Sequence, residues 1–224
     1  MRDPMITAPA YTDDADFLLR IASNLTLDEH RIKLIGGDYD LVAEKSTLMS
    51  EHLRPAAVLM GVIERANGLH LILTRRTLSM PTHAGQIALP GGGRHADDAS
   101  LAECALREAH EEIGLSPDLA QLAGSFGAFE TVSQFRLTPV VAIVKSDFQP
   151  KLDAREVAAI FEVPIAFLMN RANHHIHHRE WNGARRYYFA MPYGEHYIWG
   201  ATARVIKGLC DHLYRASPDA GTAI

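Results

Sequence analysis

The sequence predicts an α/β fold in which a mixed β-sheet lies between helices. Short apolar runs alternate with segments in which apolar residues recur at helical spacing, a pattern typical of layered α/β domains. Asn67-Gly68 and Asn182-Gly183 each separate two apolar runs and therefore predict two β-hairpins. The chain of 224 residues is long enough for one full core with appended helices.

Composition and charge narrow the range of partners. The net charge of -5 favours neither a nucleic-acid partner nor an anionic membrane surface. No apolar stretch approaches the roughly 18 residues of a membrane-spanning helix, and the acidic N-terminus does not resemble a signal peptide. Cys104 and Cys210 allow at most one disulfide. We expect a cytoplasmic protein that binds a small molecule. A polyanionic ligand would be bound locally, by a metal ion and a few arginines.

The N-terminal region is expected to lie outside the main domain. Residues 1–54 form an arm followed by helices, residues 55–215 form the domain, and residues 216–224 form a flexible tail. Apolar residues at helical spacing predict a helix over 13–25, and a second is expected over 41–53. These helices either pack on the domain or mediate contacts in a homodimer, and the sequence leaves both open.

The domain itself is read as a succession of short elements bounded by turn residues. The expected elements are strands over 56–63, 69–74, 87–89, 122–129, 138–144 and 157–163, a short helix over 164–169, strands over 176–181 and 185–191, and a closing helix over 202–213. Pro139 is expected at an edge, where its strand begins, because proline cannot donate to a ladder.

A capped helix follows the third strand. Ser100 and Glu103 have the spacing of a capping box, so the helix should begin at about Leu101. Gly114 suits the left-handed residue that ends it. The apolar face consists of Ala102, Ala105, Leu106, Ala109 and Ile113.

Three glutamates of this helix share a different face. Glu108, Glu111 and Glu112 are spaced i, i+3 and i+4, so their like charges repel. One interpretation is a solvated helix face; the other is a site for a hard divalent cation, which oxygen ligands of this kind would hold. Gly91 to Gly93 lie just upstream and predict a turn in which the backbone folds back or approaches a phosphate. The combination within one short window favours the metal site.

The window LPGGGRHADDASLAECALREAHEEIGL resembles the Nudix hydrolase box. The family pattern is Gly, five residues, Glu, seven residues, Arg-Glu, an apolar residue, any residue, Glu-Glu, any residue, Gly and an apolar residue. The matching residues are Arg107, Glu108, Ala109 at the apolar position, Glu111, Glu112, Gly114 and Leu115. The front half departs from the pattern, because the five residues after Gly92 lead to Asp98 instead of a glutamate, and eight residues instead of seven separate Asp98 from Arg107.

This variant spacing is similar to the coenzyme A pyrophosphatase subgroup. Its upstream signature resembles Leu73-Thr74-x-Arg76, His83-Ala84-Gly85-Gln86 and Leu89-Pro90-Gly91-Gly92, and similar segments continue to Trp199-Gly200. The resemblance implies a Nudix-like α/β/α sandwich and a Mg²⁺- or Mn²⁺-dependent hydrolase that splits coenzyme A, or a related derivative, into 3′,5′-ADP and 4′-phosphopantetheine. One departure is Pro81, where the signature has an arginine.

The resemblance also implies roles for individual residues. Glu108 and Glu112, one turn apart, would hold one ion, and Glu111 would reach a neighbouring ion or a water. Arg107 either pairs with acidic neighbours on the surface or orients a ligating glutamate. Glu156 is expected to be a further ligand or the general base, with Glu130 as a rival. The expected substrate-binding residues are Arg76, in preference to Arg75, together with His83, Gly91 and Gly92.

Two other functions remain open from the sequence. The same chemistry would serve another nucleoside diphosphate derivative, such as ADP-ribose or NADH. A non-catalytic Nudix-like module that senses a nucleotide belongs to a different class, but it would have no need of three clustered carboxylates.

Overall fold

The computed structural model describes residues 10–37, 40–41, 53–181 and 184–215. The predicted second helix over 41–53 lies almost wholly outside these ranges, as does the predicted tail over 216–224. The helices are α1 (Asp14–Asn24), α2 (Leu101–Ile113), α3 (Ile165–Leu168) and α4 (Gly200–Leu213). The strands are β1 (Leu34–Gly37), β2 (Arg54–Arg65), β3 (Gly68–Arg76), β4 (Ile87–Ala88), β5 (Gly91–Gly93), β6 (Ala120–Gly124), β7 (Ala128–Glu130), β8 (Phe135–Val144), β9 (Val157–Pro164), β10 (His175–Trp181), β11 (Ala184–Tyr193) and β12 (His196–Trp199).

Strands β1 to β9 form one mixed sheet. The order is β1-β7-β8-β2-β3-β4, with β5 also paired to β2, β6 to β8 and β9 to β3. The parallel pair β2 and β8 lies at its centre, and β2 and β3 form the hairpin predicted from Asn67-Gly68. Strands β10, β11 and β12 form a separate antiparallel sheet. The strands of its predicted hairpin are confirmed, whereas β12 was not predicted.

The main sheet is covered by helices on both faces. Leu59 of β2 packs in the cluster that contains the apolar face of α2, whereas Met60 packs in the cluster that contains α4. Successive side chains of a strand point to opposite faces, so a strand buried on both faces reads as a continuous apolar run. The predicted α/β/α sandwich is therefore confirmed.

Two details of the predicted strands are wrong. The strand expected over 122–129 is two strands, β6 and β7, because Ser125 between them leaves β8 and pairs with Thr26 instead. Pro139 lies inside β8 rather than at its start. It falls in the gap between the residues that pair with β7 and those that pair with β6, so no ladder partner faces it on that side.

The described N-terminal residues pack on the main domain. The Asp14 carboxylate accepts a hydrogen bond from the Leu69 amide at 2.9 Å, and Arg20 donates to the Leu213 carbonyl at 2.9 Å. Strand β1, which was not predicted, adds to the sheet edge beside β7. A role of this region in a homodimer stays a prediction.

Two further findings concern the described residues. Cys104 and Cys210 are both buried and free. Within the described ranges, no helix has the length and apolarity that crossing a membrane requires.

Candidate active site

Helix α2 begins and ends where its sequence predicts. The Ser100 hydroxyl accepts a hydrogen bond from the Glu103 amide at 3.0 Å, and the Glu103 carboxylate accepts one from the Ala99 amide at 2.9 Å. Gly114 ends the helix with a φ of 71°. Ala105, Ala109 and Ile113 are buried, while Ala102 and Leu106 are only half-buried.

The three glycines before α2 form a strand rather than the predicted turn. Strand β5 pairs antiparallel with β2, with Gly91 opposite Val58. A Cβ atom at Gly91 would lie 2.4 Å from the Ala57 carbonyl oxygen, and one at Gly92 would lie 2.6 Å from the Glu108 carboxyl carbon. Glycine is needed at both positions because the β2 backbone lies against Gly91 and the Glu108 carboxylate lies against Gly92, which leaves no room for a side chain.

Glu112 lies at the bottom of the candidate site. Its carboxylate is buried and lies 3.9 Å from Arg76 Nη1, and the Gly91 backbone lowers the pKa of this carboxylate. The pKa of Glu112 is raised to about 8, chiefly by burial and also by the negative charges of Glu108 and Glu156, while the positive charge of Arg76 opposes the rise. A buried carboxylate with acidic neighbours is one whose charge a bound cation would stabilise.

Arg107 connects two of the glutamates. Its Nη1 lies 2.9 Å from Glu108 Oε1 and 3.2 Å from Glu111 Oε2. Burial raises the pKa of Glu108, against the opposing effect of Arg107. Glu111 lies at the rim with 56% of its side chain exposed, whereas Glu108 and Glu112 lie against β5.

Asp98 is a residue of this network that the candidate list from the sequence missed. It is buried, and its carboxylate binds the Arg107 guanidinium at 2.9 and 3.0 Å and the His95 amide at 2.7 Å. The hydrogen bonds from Arg107 hold the pKa of Asp98 well below its usual range, although burial opposes this. The signal was present in the sequence, since Asp98 is the acidic residue that follows Gly92 after five intervening residues.

We expect Asp98→Asn to lower the free energy of unfolding at pH 7 by about 2–4 kcal/mol, because the partly buried Arg107 loses the one carboxylate that binds two of its nitrogens. The pKa of Asp98 is depressed in the folded protein, so this stabilisation is present above the unfolded-state pKa of about 3.9 and is lost as the pH falls further. Urea unfolding of both proteins at pH 7, 5, 4 and 3 measures it. A difference that stays constant down to pH 3 would contradict the assignment.

The candidate substrate-binding side chains differ in whether they lie near the glutamates of α2. Arg76 points to Glu112, and its buried Nε has no hydrogen-bond partner among the described residues. Arg75 points elsewhere and contacts His196 at 3.2 Å between Nη2 and Nδ1. His83 lies in an exposed loop with a φ of 57° and contacts Gln86. The structure therefore brings Arg76, but not Arg75, to the glutamates.

The two rivals for the role of base also lie in different places. Glu156 precedes β9, its carbonyl accepts a hydrogen bond from the Thr77 amide at 2.8 Å, and its charge acts on Glu112. Glu130 lies at the end of β7, paired with Gly37 and Arg136. Of the two, Glu156 is the one whose charge contributes to the raised pKa of Glu112.

The donor set suits a hard divalent cation. Glu108, Glu112 and Glu156 offer only carboxylate oxygens, and their mutual repulsion and burial raise the pKa of Glu112. Across the described part of the chain, no three His, Cys, Asp or Glu side chains are already grouped at metal-binding distances. In this structure Arg107 and Arg76 provide the positive charge near Glu108 and Glu112.

The chain is similar to a set of known proteins. The model of the NUDIX domain matches residues 52–182. A protein of Enterobacter sp. (strain 638), named Uncharacterized Nudix hydrolase NudL, is 33% identical over 186 residues, which are 83% of this chain and 94% of that protein. A protein of the same name from Cronobacter sakazakii is 35% identical over 195 residues, covering 84% and 94%. Among solved structures, the Nudix hydrolase RenU from M. smegmatis has a TM-score of 0.43 and 21% identity over 50% of this chain and 71% of its own.

Proposed function

The chain belongs to the Nudix hydrolase family, and we propose that its substrate is coenzyme A or a related derivative. Members of this family cleave pyrophosphate bonds of nucleoside diphosphate derivatives and generally use divalent cations. The proposed cofactor is Mg²⁺ or Mn²⁺, and the proposed products are 3′,5′-ADP and 4′-phosphopantetheine. The resemblance of the upstream segment to the coenzyme A signature supports this substrate.

The observation that carries the proposal is the placement of Arg76. This arginine belongs to the signature-like segment, it ends β3 beside Glu112, and its buried Nε lacks a partner among the described residues. A buried guanidinium N–H without a partner is unfavourable, and a phosphate oxygen is an acceptor that satisfies it. We assign Arg76 to the pyrophosphate of the substrate.

The glutamates of α2 would hold the cations. Glu108 and Glu112 lie one helical turn apart against β5, and Glu111 stands at the rim. When bound, Mg²⁺ or Mn²⁺ would supply charge stabilisation for the attacking and leaving oxygens. Arg107 fixes the Glu108 carboxylate through its 2.9 Å contact and is itself fixed by Asp98.

The reaction requires one proton transfer. A water oxygen attacks one phosphorus of the pyrophosphate, and the bond from that phosphorus to the bridging oxygen breaks. We assign Glu156 to receive the proton of the attacking water, because its carboxylate is close enough to influence Glu112 and is only half-buried.

We expect coenzyme A-type substrates to be preferred, but with weak discrimination for the 3′-phosphate. Pro81 lies exposed at the position where the subgroup signature has an arginine, and Arg75 is engaged with His196. Loss of one charged contact costs about 1.5–3 kcal/mol, which is one to two orders of magnitude in affinity. The measurement is kcat/KM for coenzyme A, dephospho-coenzyme A, ADP-ribose and NADH in parallel.

The expected result is that coenzyme A and dephospho-coenzyme A are both cleaved and differ by less than about tenfold in kcat/KM. A clear preference for ADP-ribose or NADH would overturn the substrate while leaving pyrophosphate hydrolysis intact. No turnover of any pyrophosphate with Mg²⁺ or Mn²⁺ would favour the nucleotide-sensing module instead.

A further inference from the structure

The N-terminal segment contacts the beginning of helix α2 through one side chain. Glu29 lies in a short 3₁₀ turn, Glu29–Arg31, before the region that matches the family model. Its Oε1 accepts a hydrogen bond from the Leu101 amide at 2.5 Å, and its Oε2 lies 3.4 Å from Arg94 Nη1. The Leu101 amide is one of the first four helical N–H groups, which have no partner within the helix.

Arg94 extends this contact into the loop before the helix. Its guanidinium donates to the Asp98 carbonyl at 3.1 and 3.2 Å and to the Ala99 carbonyl at 3.0 Å. Its own amide donates to the Pro55 carbonyl at 3.0 Å at the start of β2. Glu29 and Arg94 together therefore hold the loop that carries Asp98 against both the helix and the sheet.

Asp98 in turn determines where Arg107 and Glu108 lie. Its carboxylate binds two nitrogens of the Arg107 guanidinium, and the third nitrogen of that group binds Glu108. A continuous series of hydrogen bonds and ion pairs thus runs from Glu29 to Glu108. Outer residues that orient a metal ligand affect metal affinity or activity by about 10–100-fold when they are removed.

We propose that Glu29 is a positioning residue for the active site, acting through Arg94, Asp98 and Arg107 on the Glu108 carboxylate. Without the Glu29 carboxylate, the Leu101 amide loses its acceptor and Arg94 loses its countercharge. The loop then has fewer constraints, and Asp98 no longer holds Arg107 in one orientation. Glu29 has this role in catalysis only if the proposed hydrolysis takes place at Glu108 and Glu112.

The test compares Glu29→Ala and Glu29→Gln with a control in the same turn, Asp28→Ala. Asp28 accepts a hydrogen bond from the His30 amide within the turn, at 3.0 Å. We expect Glu29→Ala to lower kcat for coenzyme A and to raise the Mn²⁺ concentration for half-activation, each by about tenfold, with KM nearly unchanged. Glu29→Gln keeps an acceptor for the Leu101 amide but loses the charge, so its kcat and its Mn²⁺ requirement should lie between those of the wild type and of Glu29→Ala. Asp28→Ala should change only the Tm.

Two further measurements do not require turnover. Calorimetric titration with Mn²⁺ should show the same weakening in Glu29→Ala, and amide hydrogen exchange of residues 94–101 should be faster than in Asp28→Ala. In combination with Asp98→Asn, the effects of Glu29→Ala on kcat should be less than additive, because both act through Arg107. If wild-type protein cleaves no pyrophosphate, the proposed function fails while these binding and exchange data still decide the role of Glu29.

The proposal is contradicted by either of two results. If Glu29→Ala lowers the Tm but keeps the wild-type kcat, Mn²⁺ affinity and exchange rates in residues 94–101, Glu29 only stabilises the fold and the proposal is wrong. Equal losses in Asp28→Ala would also overturn it, because the effect would then belong to the turn as a whole.

Discussion

Glu112→Gln is expected to remove most of the turnover while making the metal-free protein more stable. The substitution removes one negative oxygen from the proposed cation site but keeps the shape of the side chain. Loss of about 4 kcal/mol of transition-state stabilisation corresponds to roughly a thousandfold in rate. The measurement is kcat with saturating Mn²⁺ for wild type and variant, with a chelator-treated wild type as the zero reference.

The stability of the same variant should depend on pH in a defined direction. The pKa of Glu112 is raised from 4.5 to about 8, mainly by burial. Because the folded protein holds this proton more tightly than the unfolded chain does, the unfolded chain ionises first, and the stability of the wild type falls as the pH rises from about 4.5 to about 8. The glutamine is neutral throughout, so the variant gains on the order of a few kcal/mol at pH 8 and little at pH 4.5.

Bound Mg²⁺ or Mn²⁺ should reverse this difference in stability between the wild type and Glu112→Gln. Mg²⁺ or Mn²⁺ binds the folded wild type and should raise its Tm, while the rise in Glu112→Gln should be much smaller. Thermal unfolding at pH 5 and pH 8, with and without Mn²⁺, therefore tests the site without any substrate. A variant that keeps more than roughly a tenth of the turnover, or that gains as much from Mn²⁺ as the wild type, would show that Glu112 does not hold the metal.

The parts of the fold that the sequence predicted well depend on local signals. The bounds of α2 follow from the Ser100 and Glu103 cap and from Gly114, all within a turn of the helix ends. The first hairpin follows from Asn67-Gly68. Such signals depend on residues close together in the chain, so a single sequence contains them completely.

The parts that the sequence missed depend on distant partners. Glycine has a low preference for strands, so β5 exists only because β2 pairs with it. The break between β6 and β7 results from pairing of Ser125 with Thr26, and Glu29 reaches α2 from 72 positions away. The site residues were proposed from a local pattern. Asp98 stands within that pattern, but its contact with Arg107 required the structure, as did the contact of Glu29 with α2.

Gly92→Ala is expected to lower activity strongly without unfolding the protein. A methyl group at this position would lie 2.6 Å from the Glu108 carboxyl carbon and 2.6 and 2.7 Å from its two oxygens. These atoms form the far end of a flexible side chain, so Glu108 moves away instead of the backbone shifting, and the stability changes by less than about 1 kcal/mol. The displaced carboxylate also leaves its 2.9 Å contact with Arg107.

Displacement of a reacting or positioning group by about 1 Å can lower the rate about a hundredfold, and we expect an effect of this size on kcat together with weaker Mn²⁺ activation. Gly93→Ala is the matched control, because the nearest atom to its added methyl is Phe135 Cε1 at 3.9 Å, an ordinary contact. This variant adds the same methyl group to the same strand without contacting Glu108, so it should keep most of the activity. Equal losses in both variants would mean that the strand tolerates no side chain at all. Full activity in Gly92→Ala would mean that the Glu108 carboxylate does not work from its position against β5.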